Sequence, residues 1–200
     1  MKSPLRYQAT NFDCGPTTMT NAIMFLFERE EIAPDLIRHI GQCTLDSYDQ
    51  NGYCGRYGTS GAAIRYFAAW FNELRYAGLM PIRSRFLGGS SVFFGKGSEI
   101  SSEVKTGAAV LLHVYFEAGH YILITGEDEE GVRAFDPYYR GNEILREGVK
   151  KIDNKPFSHN ILLSPSVLNN TDRGYYSMGE VGTREALIIR RDESENSYII

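Results

Sequence analysis

Apolar positions recur at helical spacing in the first part of the chain and at strand spacing later. Met19, Ala22, Ile23, Leu26 and Phe27 follow the i, i+3, i+4, i+7, i+8 pattern, which predicts a core helix opening at Cys14. Pro16 suits its first turn, where a missing N–H is not needed. Met24 and Phe25 widen the apolar surface, so this helix is expected to be buried on most sides. A short second helix is expected from Pro34 to Ile40, closed by Gly41. A third follows Thr59 or Ser60 as N-cap, turns Ile64, Phe67, Ala68, Phe71 and Leu74 inward, and ends at Gly78. Cys43 to Gly58, polar and rich in Gly and Tyr, reads as a loop.

The second half changes period. Ile82 to Leu87 reads as a strand, Gly88 to Ser91 as a loop, and Glu99 to Lys105 as a helical stretch. Three apolar segments then follow, Ala108 to Phe116, Tyr121 to Thr125 and Val132 to Phe135. The acidic turn from Glu127 to Gly131 makes the last two a hairpin. Further strands are expected near Ile161 and at Ala186 to Ile189, with a long polar loop over Ser164 to Thr183. Helices first and strands later give an α+β domain, its N-terminal helices packed on an antiparallel sheet. No repeat, low-complexity tract or linker interrupts it, so residues 1–190 read as one domain and 191–200 as a frayed tail.

Composition narrows the function classes. The chain has 200 residues, 42% apolar and 23% charged, which excludes a disordered or collagen-like protein. Lys and Arg total 21 against 25 Asp and Glu, a net charge of −4, so phosphate neutralisation on a nucleic acid is not expected. Three cysteines, an odd number, form no disulfide framework and suit a reducing compartment. Met1 to Asn11 lacks an apolar signal core, and no apolar run approaches a membrane span. The expectation is a cytoplasmic protein without membrane insertion.

The candidate chemistry sits at the first helix. A cysteine at a helix N-terminus feels the positive end of the helix dipole and free backbone N–H groups, both of which favour thiolate. Gly15 removes a side chain where a substrate would approach Cys14. Nucleophilic catalysis by Cys also needs a base and a group that orients the base. His120 and Asp136 lie at the two open ends of the expected hairpin, where antiparallel strands bring residues side by side. Gln8, six residues before Cys14, is an amide donor able to serve an oxyanion.

Other constellations are poorer. His39, Cys43 and Cys54 supply three scattered ligands where a structural zinc site wants four, so no metal or other cofactor is expected. Gly95-Lys96 breaks the phosphate-loop pattern. His113 and His159 read as structural histidines, and the pairs Tyr138-Tyr139 and Tyr175-Tyr176 as core or groove lining.

The stretch Gln8-Ala9-Thr10-Asn11-Phe12-Asp13-Cys14-Gly15-Pro16 resembles the nucleophile motif of the C39 and C39-like cysteine peptidases. Gly119-His120-Tyr121-Ile122-Leu123-Ile124-Thr125-Gly126 and Phe135-Asp136-Pro137 resemble that family's His and Asp motifs. The resemblance covers about a fifth of the chain and implies a papain-like fold. It implies Cys14 as nucleophile, His120 as general base, Asp136 as its orienting partner and Gln8 as the oxyanion residue. The expected activity is cleavage of a peptide or protein amide through a Cys thioester. The alternatives are acyl transfer or glutamine deamidation by the same thioester, and a non-catalytic peptide-binding domain.

Overall fold

The apolar stripe forms the helix it implies. In the computed structural model, which describes residues 1–141 and 146–192, α1 spans Cys14–Leu26 and buries Met19, Ala22, Ile23 and Met24. Helix α2 (Pro34–Thr44) starts on its proline but continues a turn past the expected stop. Gly41 lies on an exposed face with open space around it, and the Thr44 hydroxyl donates to the Ile40 carbonyl (2.6 Å) to close the added turn. Helix α3 (Gly61–Tyr76) is capped by Ser60, whose hydroxyl accepts from Ala63 N–H at 3.2 Å. Asp46 accepts from Ser60 N–H at 2.8 Å, which ties the preceding loop to that cap.

The strands are β1 (Ile82–Gly88), β2 (Ala109–Phe116), β3 (Ala118–Asp128), β4 (Gly131–Phe135), β5 (Val149–Lys151), β6 (Ile161–Leu163) and β7 (Glu185–Arg191). They form one seven-stranded sheet in the order β1-β7-β2-β3-β4-β6-β5, antiparallel at every pairing. Two short helices, α4 (Glu99–Lys105) and α5 (Pro165–Asn169), complete the elements. The architecture is therefore α+β with an antiparallel sheet. Strand β5 is not visible in the sequence, because Val149-Lys150-Lys151 offers one apolar residue and no alternation. Ser164 to Thr183 is not an uninterrupted loop. It holds α5, with Ser164 as N-cap and Pro165 in the first turn, and a 3-10 turn at Val181–Thr183. Arg191 closes β7 and Asp192 is buried against Arg75, while residues 193–200, the rest of the expected tail, lie outside the described residues.

Alternation along the strands divides the core into two clusters. Leu111, Tyr121, Leu123, Phe135, Leu187 and Ile189 pack with residues of α1, α2 and α3 on one face. Val110, Leu112, Ile122, Ile124, Ala134 and Ile188 pack with α4 and α5 residues on the other. A sheet covered on both faces explains why β2 and β3 read as nearly continuous apolar runs. Phe67 of α3 is fully buried and contacts Phe71, Trp70 and His39. Phe67→Ala should lower the unfolding free energy by about 3–5 kcal/mol. Denaturant titration checks this; a loss below about 1 kcal/mol would show that α3 does not close this core.

Candidate active site

Strand β4 is shorter than β3, and that difference creates the site. Pairing of β3 with β4 ends at Leu123 opposite Phe135, so the start of β3 has no β4 neighbour. The N-terminal turn of α1 lies along that uncovered edge. Thr18 donates its hydroxyl to the Tyr121 carbonyl at 3.0 Å, and the backbone of Tyr121 hydrogen-bonds the Cys14 thiol. Cys14 and the fourth residue after it, stacked on one helix face, thus occupy the two polar groups that β4 leaves free.

A β-bulge brings the other two groups to the same place. The register of β3 and β4 shifts between Ile124 and Gly126, leaving Thr125 as the extra residue. With unbroken pairing, Asp136 would fall opposite Leu123, on the sheet face away from His120. The extra residue moves it opposite Ile122, which shares a face with His120. His120 donates from Nε2 to Asp136 Oδ1 at 2.7 Å. The other ring nitrogen, Nδ1, is left for Cys14. Gly119 before His120 leaves room for His113, since a Cβ there would stand 2.7 Å from His113 Nε2 and force that ring to shift.

Asp136 is 2% exposed and held on every side. Oδ1 also accepts from Tyr138 N–H (2.8 Å), and Oδ2 accepts from Arg140 Nε (2.8 Å) and from the Tyr176 hydroxyl (2.7 Å). Asn160 fixes its backbone, accepting from Asp136 N–H and donating to the Asp136 carbonyl, both at 2.8 Å. Arg140, Asn160 and Tyr176 are therefore site residues that sequence reasoning missed. Arg140 lies four residues after Asp136, and Tyr176 belongs to a tyrosine pair left ambiguous between core and groove. Neither position carries a local pattern that marks it.

The charges follow from these contacts. Burial alone would raise the Asp136 carboxyl, but His120 and then Arg140 overcome it and hold it at about 2. Burial alone would lower His120, yet Asp136 and Cys14 raise it to about 9. The Cys14 thiol is pushed up by burial, but the hydrogen bond and charge of His120, with backbone bonds from Tyr121 and Gly15, bring it below its ordinary value. Each charge therefore favours the other, which draws the pair toward thiolate and imidazolium.

The expected helper residues behave differently. Gln8 is anchored by its backbone N–H on the Pro137 carbonyl (2.8 Å), next to Asp136. Its side chain donates one amide hydrogen to the Thr10 carbonyl at 2.6 Å, and Oε1 is buried without a partner among the described residues. One amide hydrogen remains for an oxyanion. Asp13, the residue before α1, accepts from Thr10 N–H (3.1 Å) and makes no side-chain hydrogen bond to the first turn of the helix. Gly15 does not clear a path for substrate. A Cβ there would collide with the side chain of Thr59, so the glycine makes room for the loop ahead of α3.

His113, in β2, is half-buried beside the rings of Tyr115 and Tyr121, and desolvation pushes its imidazole down. His159 accompanies Ser158 Oγ at 2.8 Å. His39 and Cys43 adjoin on α2 (3.8 Å), with His39 against Trp70 and Tyr66, while Cys54 donates to the Leu45 carbonyl elsewhere. Among the described residues, no group of three or more His, Cys, Asp or Glu is placed to hold a metal ion, and no helix is long and apolar enough to cross a membrane.

An ion pair of this kind has a pH signature. Cys14 should alkylate with iodoacetamide at about pH 6, where an ordinary thiol is almost wholly protonated and slow. Cys43 and Cys54 serve as internal comparisons, read by peptide mass spectrometry. Equal rates for the three cysteines would show that the His120 ion pair does not form.

No protein-family model matches the chain, and no curated protein matches it. Among solved structures, one described as a candidate C39-like peptidase from Bacillus anthracis is similar. That alignment covers 95% of this chain and 96% of the other, with 14% identity and a TM-score of 0.48.

Proposed function

We propose that the protein is a cysteine peptidase in which Cys14, His120 and Asp136 cleave an amide bond by acyl transfer. The observation that carries this reading is the convergence of a helix-start thiol, a buried histidine and a buried carboxylate at one edge of β3. His120 donates to Asp136 at 2.7 Å and the Cys14 thiol is depressed by His120. A structural cysteine needs none of this. Buried free cysteines ordinarily have thiols raised by apolar surroundings.

In this reaction the Cys14 thiolate attacks the substrate carbonyl carbon, forming the C–S bond and moving the carbonyl electron pair onto oxygen. Cys14 N–H and the remaining Gln8 amide hydrogen stabilise that oxyanion. As the tetrahedral intermediate collapses, the C–N bond breaks and His120 Nδ1 gives its proton to the departing amine. A thioester and a neutral imidazole remain. Water then attacks the thioester while His120 takes a proton from it, and the carboxylic acid departs as the C–S bond breaks and thiolate and imidazolium re-form. Asp136 stays ionised throughout and holds the ring so that Nδ1 faces sulfur.

The test is incubation with a diverse synthetic peptide mixture, scoring new amino and carboxyl termini by mass spectrometry. Cys14→Ala should abolish cleavage and His120→Ala should nearly do so. Asp136→Asn should retain measurable turnover, because it alters orientation and tautomer without removing the base. Gln8→Ala should cost about a hundredfold, or roughly 3 kcal/mol, through one lost oxyanion donor. The Cys14, His120 double variant should be little worse than either single one. Cleavage that persists in Cys14→Ala would refute the assignment.

A further inference from the structure

Tyr176 sits where its backbone has reason not to be. Its φ is 63°, the left-handed region that a bulky aromatic residue rarely adopts. Glu117, at the β2–β3 turn that leads into His120, is the other residue besides glycine with positive φ among the described residues (65°). Strained backbone of this kind persists only where its surroundings over-determine it, and it concentrates at functional sites.

Three sets of contacts over-determine Tyr176. Its N–H donates to the Tyr115 carbonyl at 2.7 Å, and Tyr115 N–H donates to Ser177 at 2.8 Å, so residues 176–177 are latched to the end of β2. Ser177 N–H and hydroxyl both reach back to the Gly174 carbonyl, at 3.1 and 2.8 Å, closing the turn. The ring, 1% exposed, packs edge-on to Phe116 at 5.2 Å, and the Arg140 guanidinium lies 3.3 Å from the Phe116 ring centroid. The hydroxyl that results from this placement reaches Asp136 Oδ2.

We propose that Tyr176 is a positioning residue of the site, its hydroxyl fixing Oδ2 of Asp136 so that Oδ1 is aimed at His120. The inference rests on the peptidase reading and adds to it a residue from a part of the chain, 165–183, that carries none of the family motif. Tyr176 touches neither the thiol nor a substrate; it acts through Asp136. Burial and the adjacent Asp136 charge push its phenol up, so the hydroxyl remains a donor throughout the working range. The groups that line the same cleft as Asp136 are Tyr138, Tyr139 and Arg140 from the following loop, Lys151 from β5, Tyr7 from the N-terminal segment, Asn160 before β6, and Tyr176, with His120 from β3 bonded to it. Of these, His120, Arg140, Tyr176 and the Tyr138 N–H donate to the carboxylate itself.

Tyr176→Phe keeps the ring and removes one donor to an ionised carboxylate. The test is the pH profile of Cys14 alkylation by iodoacetamide in the full chain, with the melting temperature measured alongside. With Oδ2 released, the carboxylate holds the His120 ring less firmly against the thiol, so the His120 hydrogen bond and charge lower Cys14 less. The acid limb of the profile should therefore move up by about one pH unit, making alkylation on that limb about tenfold slower. Tyr175→Phe is the matched control. That hydroxyl donates to Glu117 at 3.2 Å, and its loss should leave the limb in place. A Tyr176→Phe profile that superimposes on the native one, with or without a lower melting temperature, would overturn the positioning role. A native Cys14 no faster than Cys43 and Cys54 would overturn the peptidase reading, and this inference with it.

Discussion

A carboxylate with 2% of its surface exposed has lost nearly all its water, and it stays charged only if the protein replaces that water. Asp136 is such a group, and four donors surround it: an imidazole, a guanidinium, a phenol and a backbone N–H. They come from three parts of the chain, so the requirement to satisfy one buried charge couples β3, the 137–140 loop and the 170–178 turn. The charge then passes outward. An ionised Asp136 raises the His120 imidazolium, and His120 in turn lowers the Cys14 thiol inside a pocket whose burial pushes it up.

The sheet supplies the geometry for that chain of charges. His120 and Asp136 project toward the face packed by α4 and α5, whereas α1 belongs to the opposite core cluster. Groups on opposite faces of a sheet meet only at an edge. Here the edge is internal, opened because β4 stops at Phe135 while β3 extends back to Ala118. The N-terminal segment holds α1 against that opening. Asn21 accepts from Arg6 N–H and donates to the Arg6 carbonyl, while Gln8 N–H binds Pro137, so one strap joins the helix to the corner that carries Asp136.

Much of this was legible in the sequence. Local periodicity carries the α1 stripe, the hairpin of β3 and β4, and the helix-start position of Cys14, because each depends on neighbours along the chain. The order of Gln8, Cys14, His120 and Asp136 followed from the same stretches. The bulge at Thr125 was not legible. Thr125-Gly126 looks like any strand end, yet that single extra residue decides which face Asp136 occupies. Arg140, Asn160 and Tyr176 were also hidden, since their importance arises only when distant segments converge on one carboxylate. Gly15 was read for the right reason, close approach, but with the wrong partner. The chain that approaches is Thr59, not a substrate.

The most direct measurement of the central claim is an NMR titration of the His120 ring in the native chain and in Cys14→Ala and Asp136→Asn. An imidazolium held by a thiolate on one side and a carboxylate on the other should persist until the pH reaches about 9, and should titrate lower in each variant. A native His120 that titrates at an ordinary value of about 6.5, unmoved by either substitution, would contradict the account.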